Sequence, residues 1–288
     1  MSAVFKKEFT GYFKSIMGYI FIGVFVLLIG IFFVLINIGG QSSDFSYTLN
    51  STSIIFLIIM PILTMRLFAE ETRQNTDQLL YTAPLSLGRI VIAKFFAAFA
   101  LYLIALALTI IFPLSVAAFS PDMPVAKIVG ALLGYALLGS CLISVGLMVS
   151  ALTDNQIIAA VGTFAAVLIF FILDSISNNA PQDRMSCIVF ILALIVALAL
   201  FIRFGMGTLL GAILFAVIAA IACAAAFLMN NAVFDGSIAK ILSWVSLMSR
   251  FGNFGKGVLN ISDIVYYISF TAVFVYLTMS VIERRRWR

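Results

Sequence analysis

Eight stretches of this chain stay apolar for about the length a helix needs to cross a bilayer: roughly residues 17–38, 52–69, 93–118, 127–152, 156–175, 186–203, 205–229 and 263–282. A hydrocarbon core of ~30 Å takes about 20 residues of helix. Inside that core every backbone N–H and C=O must be satisfied without water, which leaves helices as the solution for runs of this length. The expected fold class is an all-α polytopic membrane protein. Composition agrees, with 64% hydrophobic and 10% charged residues and a mean hydropathy of +1.19. Soluble chains average about 45–50% apolar and about 25% charged. The 28 Phe and 11 Met suit lipid contact and inter-helix filling better than a cofactor box.

An even number of spans puts both termini on one side, and the distribution of basic residues chooses which. With the N-terminus in the cytosol, Lys6, Lys7, Lys14, Arg66, Arg73, Arg89, Lys94, Arg203, Arg284, Arg285, Arg286 and Arg288 lie inside. Lys127, Arg184, Lys240, Arg250 and Lys256 lie outside. The closing ERRRWR is a strong cytosolic anchor. The two spans at 186–203 and 205–229 form a hairpin on this reading, with only Arg203 and Phe204 before Gly205 and with Arg203 snorkelling to the inner surface. The opening SAVFKKEFTGYFKS precedes a full-length apolar run with no small-residue cleavage site, so a removable signal peptide is not expected. Phe5, Phe9, Tyr12 and Phe13 share a helical face opposite Lys7 and Lys14, which predicts an interfacial helix over residues 1–15 on the cytosolic leaflet.

Residues Met60–Lys94, MPILTMRLFAEETRQNTDQLLYTAPLSLGRIVIAK, form a polar island between two apolar runs. Arg66, Glu70, Glu71 and Arg73 mark the exit of the second span, at spacings that permit pairing along one helix. Thr76, Leu79, Leu80 and Ala83 give a short helix with an apolar side; Pro84 ends it, and Ser86 caps the helix leading to Lys94. The residues alone leave two readings open, a solvated connector and a docking helix for a cytosolic partner. Residues 39–51 are expected as a polar outer loop, and 230–262 as one or two short interfacial or re-entrant helices on the outer face, with Ile238, Ile241, Leu242, Val245 and Met248 at helical spacing.

Several chemistries are excluded or disfavoured. There is no His, so His-based metal sites, triads and proton relays are absent, and no metal or catalytic residues are assigned. Cys141, Cys187 and Cys223 lie in or beside apolar runs without paired spacing and read as small buried hydrophobes. The basic residues follow the membrane rather than a nucleic-acid surface. No G-x-x-x-x-G-K-[ST] loop is present, so the chain is not expected to cradle ATP phosphates. Arg66, Lys94, Asp174 and Arg203 fall near predicted span ends, where snorkelling suffices, and Asp154, Asn155 and Gln156 flank a cytosolic turn. Pro61 and Pro113 should kink their spans, with a possible role in lining a path. Gly130, Gly134 and Gly139, with Gly207 and Gly211, permit close helix packing.

The run MRLFAEETRQNTDQLLYTAPLSLGRIVIAKF resembles the segment between the second and third spans of ABC type-2 exporter permeases, in particular their gliding-motility-like and copper-site-maturation-like branch. Arg66, Phe68, Glu71, Thr76, Leu79, Leu80, Ala83, Pro84 and Lys94 occupy the family's positions. A second stretch, FGNFGKGVLNISDIVYYISFTAVFVYLT, is similar to the segment leading into the family's last span through Phe251, Phe254, Gly257, Val258, Asp263 and Tyr266. The resemblance covers roughly residues 1–175 and 245–285. It implies the type-2 exporter transmembrane fold of six spans, to which this chain adds the 186–229 hairpin for about eight.

The resemblance also implies a permease subunit, not itself an enzyme, in a bacterial inner membrane, where the count of basic residues puts both termini in the cytosol. It would work as a dimer with a second copy or a homologous permease, beside two copies of an ATP-binding subunit and an accessory extracytoplasmic protein. ATP and Mg would sit on the partner. Residues 70–92 would be the coupling region, with Glu70, Glu71, Thr76, Leu79, Leu80, Ala83 and Pro84 meeting the ATPase and Arg66, Arg73 and Lys94 as entrance charges. The thin polar lining favours an amphipathic cargo. Two alternatives stay open, a membrane anchor or scaffold and an ion-coupled secondary transporter, although no chain of buried carboxylates or paired broken helices supports the second. Glu70–Glu71 before Arg73 approaches a membrane-protease motif, but Asn75 stands where Arg is needed and the required histidines are missing.

Overall fold

The computed structural model describes residues 2–74, 86–117, 123–181, 183, 185–193 and 236–286. Its described secondary structure is helical, and six helices are long and apolar enough to cross a membrane: Ile16–Ile38, Phe45–Arg73, Leu87–Ala117, Val125–Leu152, Gln156–Asn179 and Ile261–Arg285. This is an all-α polytopic membrane protein. The six coincide with six of the eight expected spans. Residues 185–193 are helical, but most of the proposed 186–229 hairpin, with Arg203, Gly207, Gly211 and Cys223, lies outside the described residues, and so do residues 230–235.

We number the helices α1 (Ser2–Lys14), α2 (Ile16–Phe33), α3 (Phe45–Thr52), α4 (Phe56–Thr64), α5 (Ala69–Arg73), α6 (Leu87–Leu108), α7 (Ile111–Ala117), α8 (Val125–Leu152), α9 (Gln156–Asn179), α10 (Ser237–Val245), α11 (Leu247–Gly255) and α12 (Ile261–Arg286). The chain forms two compact units, one of Met1–Ile169 with Leu247–Arg288 and the other of Phe170–Ser246. In the second, the Ser177 hydroxyl donates to the Ala239 carbonyl at 3.0 Å, and the Ser246 hydroxyl donates to Asp174 Oδ1 at 2.9 Å.

The first unit is organised around α8, the most buried of the spans. Its small residues let neighbours approach. A Cβ at Gly134 would sit 2.6 Å from Phe254 Cβ, one at Gly139 would strike the Tyr102 ring, and one at Gly146 would strike the Thr64 side chain. The close packing expected of Gly130, Gly134 and Gly139 is therefore present. Phe25, Phe56, Tyr102 and Tyr135 form an aromatic core beside α8. The Tyr102 hydroxyl donates to the Tyr135 carbonyl at 2.7 Å, and the Tyr135 hydroxyl donates to the Thr52 carbonyl at 3.2 Å, so both buried phenols are satisfied. Outward faces keep large apolar side chains exposed, for example Ile16, Leu27, Ile157 and Tyr276, as lipid contact requires.

The second and third spans depart from their expected limits. The second begins at Phe45, so residues 39–51 are not simply a polar loop. Asp44 N-caps α3 through the Ser46 N–H, Phe45 and Leu49 are fully buried, and Thr48 donates to Asn37 in the short π-helical end of the first span, Val34–Ile38. Polar side chains that bond one another bring this turn inside, which a hydropathy window cannot see. A 3₁₀ turn at Ser53–Ile55 precedes the helix carrying Pro61. The third span starts at Leu87, well before the expected 93, and breaks between Leu108 and Ile111. Pro113 has no N–H to return to the Thr109 carbonyl, and the Phe112 N–H bonds there instead at 3.1 Å. Both prolines are buried.

Candidate functional site

The second span ends in an unusual way. After α4 the chain turns through residues 65–68 before α5, and the Ser150 hydroxyl of α8 holds the turn. It accepts the N–H groups of Phe68 and Ala69 at 3.1 and 3.2 Å and donates to the Met65 carbonyl at 3.3 Å. One fully buried serine thus satisfies three backbone groups that a broken helix would leave bare. The turn carries Arg66 and Glu70 toward the polar end, where the guanidinium and carboxylate meet in a bidentate pair at 2.6 and 2.7 Å. That is the i,i+4 pairing the sequence suggested. Arg73 is exposed.

Lys94 does not snorkel. It lies two turns inside α6 at 1% exposure and does not open the span. Its ammonium reaches the Leu67 carbonyl at 2.7 Å, Glu71 Oε2 at 2.9 Å and Glu8 Oε1 at 3.1 Å, with the Phe68 ring beneath it at 5.1 Å. An ammonium has three protons, and here three acceptors stand around it. Lys7 lies over the same two carboxylates, 3.7 Å from Glu8 and 3.4 Å from Glu71. The reading of Lys94 as a boundary residue is corrected: an opposite charge from α1 and another from α5 make its burial tenable.

These groups line a cavity of about 520 Å³ with Gly11, Tyr12, Ser15, Leu67 and Gln74. Among the described residues its charged side chains are Lys7, Arg66 and Lys94 against Glu8, Glu70 and Glu71, so they balance. Tyr12 faces this cavity, while Phe5, Phe9 and Phe13 stack in a separate row. Tyr12 thus stands at the cavity edge of the aromatic face of α1. Burial, and next the Glu8 carboxylate, push the Tyr12 phenol above its ordinary pKa.

Glu8 and Ser150 were not singled out from the sequence, and Tyr12 was read only as part of the aromatic face of α1. Glu8 offered one signal: it is the only acidic residue in α1. Thr76, Leu79, Leu80, Ala83 and Pro84 fall in 75–85, outside the described residues, and so does most of the 70–92 region. Ser86 stands at the N-cap position of α6 but makes no side-chain cap bond; its carbonyl accepts the Arg89 N–H.

The same end of the first unit gathers the last two turns of α12. Met279 lies against Gly88 at the start of α6, and Arg285 reaches Asp154 Oδ1 and the Leu152 carbonyl, each at 2.9 Å. Asn155 caps the following helix through the Ile157 N–H at 2.9 Å. The other end carries a second charged cluster. Arg250 Nη1 donates to Asp263 Oδ1 at 2.9 Å, Asn253 Nδ2 donates to Oδ2 at 3.0 Å, and the guanidinium lies 4.0 Å from the Tyr266 ring centre. Gly257, at φ +79°, ends α11, and the Val258 N–H returns to the Asn253 carbonyl. The short helices expected within 230–262 are present as α10 and α11. Cys141 and Cys187 are buried free thiols, as expected, and no group of metal-ligating side chains occurs among the described residues.

A family model described as ABC-2 family transporter protein matches residues 36–183, just over half of the chain. The matched region includes Arg66, Glu70, Glu71, Lys94 and Ser150 and leaves out α1 and α12. No curated protein and no solved structure matches the chain.

Proposed function

Because the chain belongs to the ABC-2 family of transporter proteins, and is thus an ABC transporter permease, we propose that it drives outward movement of an amphipathic substrate with ATP hydrolysed by a separate subunit. Permeases of this family generally partner with such a subunit. The finer reading is an exporter of the gliding-motility-like and copper-site-maturation-like branch, in a bacterial inner membrane with both termini cytosolic. Two permease copies, or this chain and a homologue, would carry two ATP-binding subunits. ATP and Mg stay on those subunits, and an extracytoplasmic accessory protein is a further candidate partner.

The observation that carries this reading is the geometry flanking residues 75–85. Both flanks are fixed: Ser150 and Arg66–Glu70 hold one, and Lys94 ties the other to Glu71. A segment whose two ends are fixed to the bundle can pass a force from a soluble partner into the second and third spans. The basic residues near it, Lys6, Lys7, Lys14, Arg66, Arg73, Arg89 and Arg284–Arg286, support a cytosolic placement. Thr76, Leu79, Leu80, Ala83 and Pro84 are assigned to the ATPase contact, with Glu70 and Glu71 at its edge.

The test is co-purification. Leu79→Asp with Leu80→Asp should abolish recovery of the ATP-binding subunit while leaving membrane insertion unchanged. Undiminished recovery would overturn the docking assignment. Accessibility of Ser42→Cys from outside and of Thr76→Cys only from the cytosol would support the orientation; the reverse would overturn it.

A further inference from the structure

Lys94 ties together more of this protein than a span residue needs to. Its three acceptors come from three places: Glu8 on α1, Glu71 on α5 and the Leu67 carbonyl in the turn before α5. Glu71 lies just before residues 75–85 and Lys94 just after them, so their pair closes the chain across that segment. Glu8 then binds a helix from the far N-terminal side of the first span into the same node. The contacts are short and charge-assisted around a buried ammonium, which makes them directional as well as strong.

The charge balance says what the node is for. Arg66 is occupied by Glu70, and Lys94 and Lys7 together neutralise Glu8 and Glu71. Among the described residues the cavity's charges therefore balance, and its carboxylates are engaged in holding helices. Lys7, 65% exposed, already stands within 3.7 Å of both carboxylates. If Lys94 moves away from either one, Lys7 is in place to take it. Lys7 could thus keep either carboxylate paired if Lys94 moved, and a contact with two such arrangements can switch.

We propose that the Glu8–Lys94–Glu71 node makes α1 a moving part of coupling, with Lys94 as the positioning residue that passes displacement at the flanks of 75–85 to the N-terminal helix. The inference rests on the reading of 75–85 as the ATPase contact. Its test is a pair of spin-label distances in the full chain co-purified with its ATP-binding subunit, with Cys141, Cys187 and Cys223 replaced by serine. One label pair, Arg73→Cys with Arg89→Cys, spans the flanks of 75–85; the other, Lys6→Cys with Arg89→Cys, reports α1 against α6. All three labelled positions are exposed.

Trapping the complex with Mg-ATP and vanadate should shift both distances. Glu8→Ala should abolish the shift at Lys6–Arg89 and preserve it at Arg73–Arg89, with the ATP-binding subunit still bound; Glu8→Gln, which keeps an acceptor, should restore part of it. A simply structural contact would change the resting distances without removing the response to nucleotide. A Lys6–Arg89 shift that survives Glu8→Ala overturns the proposal. If no ATP-binding subunit is recovered with the unmutated chain, the coupling reading falls by itself. The node is then judged in the permease alone, where Glu8→Ala must broaden the Lys6–Arg89 distribution, and an unchanged distribution overturns it.

Discussion

At one end of α8, Lys94 gathers Glu8, Glu71 and a carbonyl from three separate elements; at the other, Arg250, Asp263, Asn253 and Tyr266 come from two consecutive helices. The two ends are marked by Ser150 against Phe68 and Gly130 against Phe254, about 30 Å apart at the rise of an α-helix. That is close to the thickness of a hydrocarbon core. Both clusters bury charge, but to different effect. The Arg250–Asp263 cluster is local and closes a turn, with Tyr266 covering the guanidinium. The Lys94 cluster is long-range, borders a cavity and has a second lysine beside it. A local pair fixes one corner, whereas a node shared by three elements transmits the position of any one to the others.

The difference can be tested by breaking each cluster in turn. Lys94→Met should have the largest effect, about 3–5 kcal/mol of destabilisation, because it leaves two carboxylates facing a buried site with one of their cations gone. Equilibrium unfolding in detergent would measure it, and a loss no larger than that of a surface pair would remove the distinction drawn here. Gly134→Ala should follow at about 1–3 kcal/mol, since its Cβ would meet the base of the Phe254 side chain, which cannot swing away. Its damage should be confined to α11, seen as faster hydrogen exchange there and not in α1. Asp263→Asn should cost about 2 kcal/mol through the lost charge-assisted bond to Arg250, again without disturbing α1. Arg285→Ala should be the smallest, under about 1 kcal/mol, because Asp154 is exposed. Its effect should fade with added salt, whereas that of Lys94→Met should not.

Much of the architecture was legible in the chain because the bilayer imposes a length and a polarity that composition must obey. Six spans appear where apolar runs predict them, the glycines of α8 pack as their spacing suggests, and Arg66 pairs with Glu70 at i,i+4. The expectations that failed did so where polar groups satisfy one another across the fold. Asn37 and Thr48 draw a supposed outer loop into a helix, and Lys94 is buried because Glu8 and Glu71 come to it.

The sequence by itself determined the solvent, the helices and their approximate ends, since hydropathy and helical period are properties of neighbouring residues. Only the tertiary structure decided which charges meet. Glu8 and Lys94 are separated along the chain by two whole spans, and no local pattern records that the first helix folds back against the third span. The energy of a buried ammonium depends on acceptors within about 3 Å, a distance that only the packed bundle sets.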